Sequence, residues 1–283
     1  MTGRWGARAL AIAGALAFPA GAAAATPQVS VQFAAFGPSQ IDALPGETVV
    51  WTNASTRRHT VTSDAGAFAS GDLESGSRFA WTFGAVGAYP YHCTVHPAMT
   101  GEVDVRRVTL GALPVGALRP GTPVELTGRA ADPSTPVRIE RSRDGTHFTT
   151  LATAAPNAAG DWSASLRAQA TGYYRAASGA DVSEERRLLV TDRRVKVRAG
   201  RRGVSVTVTP SDPYGRVVLQ VRLRDRFGWW PVARKRLDYV SHAHFALRRP
   251  ARARVVLVDR DDWTPLAVSR VVVLRPRRPA SGS

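Results

Sequence analysis

Tyr91-His92-Cys93-Thr94-Val95-His96-Pro97-Ala98-Met99-Thr100-Gly101 sets a thiol, an imidazole and a thioether at three-residue intervals within one short loop. A second imidazole, His59, stands far upstream in Arg58-His59-Thr60-Val61-Thr62. Two His and one Cys with a weak axial Met are the ligand group of a copper electron-transfer centre. Thiolate and thioether favour Cu(I), and imidazole suits both oxidation states. A set that suits neither state fully has little to rearrange when an electron arrives. The spacing therefore predicts one type 1 copper ion on His59, Cys93, His96 and Met99. It predicts no catalytic residue, because these four groups leave no open position for a substrate. His92 adjoins Cys93, so strand alternation turns it away from the site.

Cys93 is the single cysteine of a 283-residue chain, so no internal disulfide can form. Residues 1–25 have the makings of a signal peptide: Arg4 and Arg8, then the apolar run Ala9 to Phe18, then small residues ending in Ala23-Ala24-Ala25. That apolar run is shorter than the roughly 20 residues a membrane span needs. The expectation is an exported protein without a membrane span: secreted, cell-wall-associated or periplasmic. In an exported chain a leftover Cys suggests a special role, and its distance from His96 and Met99 favours metal ligation over a buried thiol.

Charge divides the rest. Residues 26–105 carry three basic and seven acidic side chains, a balance of −4. Residues 106–283 carry 33 basic against 15 acidic ones, a balance of +18. The step at Arg106 marks a domain boundary. The expected division is a signal peptide at 1–25, a copper domain at 26–106, a β-sandwich at 107–192, and a second, basic β-sandwich with a short disordered tail at 193–283.

Short alternating runs make the whole chain read as all-β. Val29, Val31 and Phe33 alternate; Pro45-Gly46 turns into Thr48 to Asn53; Phe79, Trp81 and Phe83 share a face; Gly101 to Val105 closes the sheet. The candidate ligands fall at strand ends and in loops, where a rigid scaffold can hold them.

At these residues the segment resembles the cupredoxin (type 1 blue copper) family, and within it the amicyanin, pseudoazurin and plastocyanin group. The Cys93-x-x-His96-x-x-Met99 spacing is that of amicyanins, and the likeness covers about residues 27–106. Phe68-x-Ser70-Gly71-x-Leu73, Phe79, Thr82-Phe83, Gly87 and Tyr89 follow the family pattern too. The resemblance implies a Greek-key sandwich, with Asn53 behind the ligands tying the two ligand loops together by hydrogen bonds. Relatives often carry Pro before the first His; here Arg57-Arg58 stands there, which alters the usual apolar docking face. Multicopper enzymes share this loop but need eight further His, and the chain has six in all.

Beyond Arg106 two copies of one unit follow. Arg141-Ser142-Arg143-Asp144 recurs as Arg222-Leu223-Arg224-Asp225, Phe148 answers Trp229, and Ser165-Leu166-Arg167 answers Ala246-Leu247-Arg248, all at an offset of 81. The first copy resembles bacterial immunoglobulin-like modules: Gly172-x-Tyr174-x-Ala176 resembles the tyrosine corner of that fold, with Ala176 where antibody domains carry Cys. Trp229-Trp230 reads as sandwich core, with a carbohydrate platform as the alternative, and His242-Ala243-His244 as strand residues rather than a second metal site. The function expected is single-electron transport between Cu(I) and Cu(II), with a basic tail for spacing or surface attachment. The alternative is a copper storage, buffering or delivery module. Expected partners are a redox protein and an anionic cell-wall polymer, with no nucleic acid, for a monomeric chain.

Overall fold

Alternation of apolar and polar side chains produces strands, and in the computed structural model every regular element among the described residues is a strand. The structure describes residues 26–200, 203–223, 227–246, 251–261 and 263–274. The expected signal peptide, the tail beyond 274, and the repeat positions Arg224-Asp225 and Leu247-Arg248 lie outside them.

The first unit holds β1 (Gln28–Val31), β2 (Phe36–Gly37), β3 (Gln40–Ala43), β4 (Thr48–Asn53), β5 (Thr62–Ser63), β6 (Arg78–Thr82), β7 (Gly87–His92) and β8 (Thr100–Val105). They form two four-stranded sheets, β2-β1-β4-β6 and β3-β8-β7-β5. Each sheet has one parallel pair, β1–β4 or β3–β8, and its other pairs are antiparallel. Along β4 the buried residues are Val49, Trp51 and Asn53, the period of a half-buried strand. Trp51 packs edge-on against Tyr91 at 5.5 Å and lies 5.7 Å from Phe68, joining the two sheets. Phe33 departs from the expected alternation. β1 stops at Val31, and Phe33 is 58% exposed beneath the Arg57 guanidinium.

The second unit comprises β9 (Pro123–Arg129), β10 (Val137–Ser142), β11 (Thr149–Ala154), β12 (Asp161–Arg167), β13 (Gly172–Ser178), β14 (Asp181–Val182) and β15 (Arg186–Leu188). β9 pairs with β12, and β11-β10-β13-β14 forms the larger sheet, with β15 also on β13. The third comprises β16 (Arg194–Gly200), β17 (Gly203–Thr209), β18 (Arg216–Arg222), β19 (Trp230–Arg236), β20 (His242–Ala246), β21 (Ala251–Val258), β22 (Pro265–Val268) and β23 (Val272–Leu274). Its sheets are β16-β17-β20 and β19-β18-β21-β22, with β23 on β21. The repeat seen in the sequence extends to the pairing: β10 lies between β11 and β13 as β18 lies between β19 and β21. Even the register shift recurs, at Ile139/Glu140 and at Leu219/Gln220.

Three separate cores result, spanning Val29–Val105, Val108–Val190 and Val195–Leu274. Trp229 and Trp230 are not core, contrary to the sequence reading. Trp229 is half-buried with Arg254 stacked on it, and Trp230 is 38% exposed. They sit where β19 begins at the edge of its sheet, so one side of each ring has no strand to pack against.

Candidate metal centre

Two loops meet at one end of the first sandwich. β4 ends at Asn53 and the chain then runs through His59 to β5; β7 ends at His92 and the chain passes Cys93, His96 and Met99 before β8. β5 pairs with β7 through Thr62–His92 and Ser63–Tyr91, which sets the His59 segment beside Cys93. The Cys93 loop closes on itself: the Cys93 amide donates to Met99 O (3.0 Å), His96 N to Cys93 O (3.1 Å) and Met99 N to His96 O (2.8 Å). A chain of three-residue spacing thus returns Met99 to the start of the loop.

The donor atoms converge. Cys93 Sγ lies 3.7 Å from His59 Nδ1 and 3.6 Å from His96 Nδ1, and the ligand atoms of this trio all fall within 4.8 Å of one another. Among the described residues it is the one group of three or more His, Cys, Asp or Glu side chains so placed. His59 and Cys93 have no exposure, Met99 has 2%, and His96 is half-buried. Burial, then the His96 imidazole and the Arg57 guanidinium nearby, lower the pKa of His59 below the ordinary histidine value. A lowered pKa leaves the imidazole neutral at neutral pH, the state in which a ring nitrogen can bind a metal.

The ring of His59 is fixed from behind. Its Nε2 lies 3.0 Å from Ser55 Oγ, so with Nδ1 kept free the Nε2–H is the donor. Ser55 is held in turn by Asn53, whose Oδ1 accepts from the Ser55 amide (3.0 Å) and hydroxyl (2.9 Å). Asn53 Nδ2 donates to Arg57 O (2.7 Å) and Leu73 O (2.9 Å), bracing the His59 loop against the 66–77 connection. The tie to the Cys93 loop is made by Thr60. Its Oγ1 accepts from Thr94 N (2.8 Å), and its amide donates to Cys93 Sγ (3.4 Å). Sequence reading missed Ser55 and Thr60; the position of Ser55, four residues before His59, was the available signal.

Other candidates resolve differently. His92 turns outward and contacts Asp64 Oδ1 at 2.5 Å. His242 and His244 are exposed on β20, with His244 Nδ1 3.3 Å from Ser205 Oγ.

No family model matches the chain. Amicyanin-alpha of Methylorubrum extorquens is 33% identical over 98 residues, covering 33% of this chain and 82% of that protein. The chain belongs to the amicyanin family. Amicyanins of Paracoccus versutus and Paracoccus denitrificans are 38% and 37% identical over 65 residues, 21% of this chain and about half of each relative (49% and 50%). Among solved structures, a purple cupredoxin from Nitrosopumilus maritimus is 29% identical, covering 28% of this chain and 98% of its own, at a TM-score of 0.27. An oxidised amicyanin variant is 27% identical, covering 29% and 84%, at a TM-score of 0.28.

The amicyanin-type cofactor is one copper ion, and the donor set fits it: the imidazole nitrogens of His59 and His96 and the Cys93 sulfur converge, with a buried thioether in the same loop. Two thirds of the chain lie beyond the likeness to the family.

Proposed function

We propose that this chain is an exported electron carrier that holds one copper ion on His59, Cys93, His96 and Met99, with two immunoglobulin-like sandwiches for spacing or surface attachment. The observation that carries the reading is the convergence of His59 Nδ1 and His96 Nδ1 on Cys93 Sγ, at 3.7 and 3.6 Å. Copper bound there would take up and release single electrons by cycling between Cu(I) and Cu(II).

The protein's part is to hold these atoms still. Ser55 orients His59, Thr60 pins one ligand loop to the other, and the Cys93–Met99 hydrogen bond closes the second loop. Ligands locked by a second layer of hydrogen bonds move little on a change of charge. The Thr60 amide donates to the Cys93 sulfur and so helps to fix its position. His96 differs from His59 in being half-buried, next to exposed Val95, Pro97 and Ala98. That edge is where a redox protein would approach, with Arg57 and Arg58 close to the other ligand.

Voltammetry of the copper-loaded chain tests the proposal. A carrier gives a reversible one-electron wave and keeps its metal in both states against a mild Cu(I) chelator. Loss of copper to the chelator on each reduction would favour storage or delivery instead.

A further inference from the structure

The internal repeat supplies its own control for the basic surface. In the middle sandwich, Val137 and Ile139 of β10 face the core, so Glu140 faces out. Its carboxylate accepts from Arg175 Nε (2.9 Å) and Arg138 Nε (3.2 Å). Arg175 stands directly opposite on β13 and stacks on Phe148 at 3.8 Å. In the last sandwich the position after the same register shift is Gln220, opposite Arg254 on β21. Arg254 Nε donates to Gln220 Oε1 (2.8 Å), and its guanidinium stacks on Trp229 at 4.5 Å. The stack survives in the second copy, and the carboxylate does not.

Strand pairing matches β10 to β18 at an offset of 80, one residue from the sequence repeat, and two residues further along Ser142 opposite Tyr173 is replaced by Arg222 opposite Arg252. Val221 and Ala253 next to them face the core, so both arginines point outward, and both are exposed. Like charges directly opposite on paired strands are destabilising. An anion between them removes that cost. β18, β19 and β21 contain no Asp or Glu, and among the described residues Asp212 and Asp259 share a recess with Arg216 and Arg236 at the other end of the sheet. Beside Trp229, Phe227 is fully exposed and Trp230 partly so.

We propose that Arg222, Arg252 and Arg254, with Trp229, bind the carboxylate groups of an acidic polysaccharide. Guanidinium forks match carboxylates in shape as well as charge, and the exposed rings offer apolar faces to the sugar. An extended polymer suits the exposed end of this face, beyond the buried Val218, Val256 and Val258, better than a small ion does, because several carboxylates can engage at once. The inference rests on the reading of the tail as an attachment module.

The test uses the full chain and polygalacturonate as probe, by calorimetry at low and raised salt. Gln220→Glu recreates the partner that Glu140 gives Arg175, and the double variant Arg222→Ser/Arg252→Tyr recreates the pair at Ser142–Tyr173, so the fold tolerates each pattern in the neighbouring module. Wild type should bind, with affinity falling as salt screens the charges. Each variant should bind about tenfold more weakly, the scale of one charge-assisted hydrogen bond, with the copper-site spectrum unchanged. Equal binding by wild type and both variants would overturn this site while leaving surface attachment standing. Tighter binding of single-stranded DNA or phosphatidylglycerol vesicles would overturn the glycan assignment. No binding to any of the three would overturn attachment itself.

Discussion

Gly101 shows how closely the core abuts the candidate copper loop. It pairs with Tyr91 across β7 and β8, and a Cβ there would sit 2.4 Å from Tyr91 Cζ. The Tyr91 ring is fully buried against Trp51 and cannot retreat, and burial pushes its hydroxyl pKa up to about 12. Gly101→Ala should therefore cost about 1–3 kcal/mol, the range for overpacking a tight core, and lower the melting temperature accordingly. Because Gly101 follows Met99 by two residues, the displaced backbone should also alter the visible spectrum of the copper-loaded protein. An unchanged melting temperature would mean that the ring has room to move. At this scale the sequence was most readable where chemistry is local: Cys93, His96 and Met99 declare themselves by type and spacing. Thr60 does not, because its hydroxyl gains its role only when chain segments far apart in sequence meet, as Thr60 meets Thr94, and Ser55 offered only its spacing of four residues from His59. Asn53 was readable as a supporting residue through family likeness, yet its bonds run to Arg57 and Leu73 within the His59 side of the site.

At the scale of elements, the two ligand loops act as a unit because Thr60 and β5 stitch one to the other. Thr60→Val keeps the volume but removes the acceptor for Thr94 N–H and the hydroxyl contact to Thr94 Oγ1. The change should cost about 1 kcal/mol, a typical net hydrogen bond, since exposed Thr94 can turn to water. Copper should still bind, with a shifted reduction potential measurable by voltammetry. An unshifted potential would show that the loop tie does not set the site. Strands were legible wherever alternation was regular, as in β4, where Val49, Trp51 and Asn53 alternate inward. The reading failed at Trp229-Trp230, where large aromatic side chains suggested core. Their place on an edge strand beside a register shift is a tertiary fact that no local pattern announces.

Across the whole molecule, three cores are strung in sequence, and the charge step at Arg106 coincides with the passage from the first to the second. The acidic first unit is joined to the basic remainder by ion pairs: Asp42 with Arg186 (2.6 Å) and Glu47 with Arg129. Charge and repeat both change there, which is what suggested the division into units; the joining contacts left no such sign, since each links residues some eighty or more positions apart. The proposed electron transport rests on the first unit, where all four candidate ligands lie. Loaded with Cu(II), the full chain should show the intense visible band of thiolate-to-copper charge transfer. Cys93→Ser should abolish that band while far-ultraviolet circular dichroism still reports a folded β protein. A colourless wild-type protein that nevertheless holds Cu(II), or a Cys93→Ser variant as blue as wild type, would contradict the assignment of His59, Cys93, His96 and Met99.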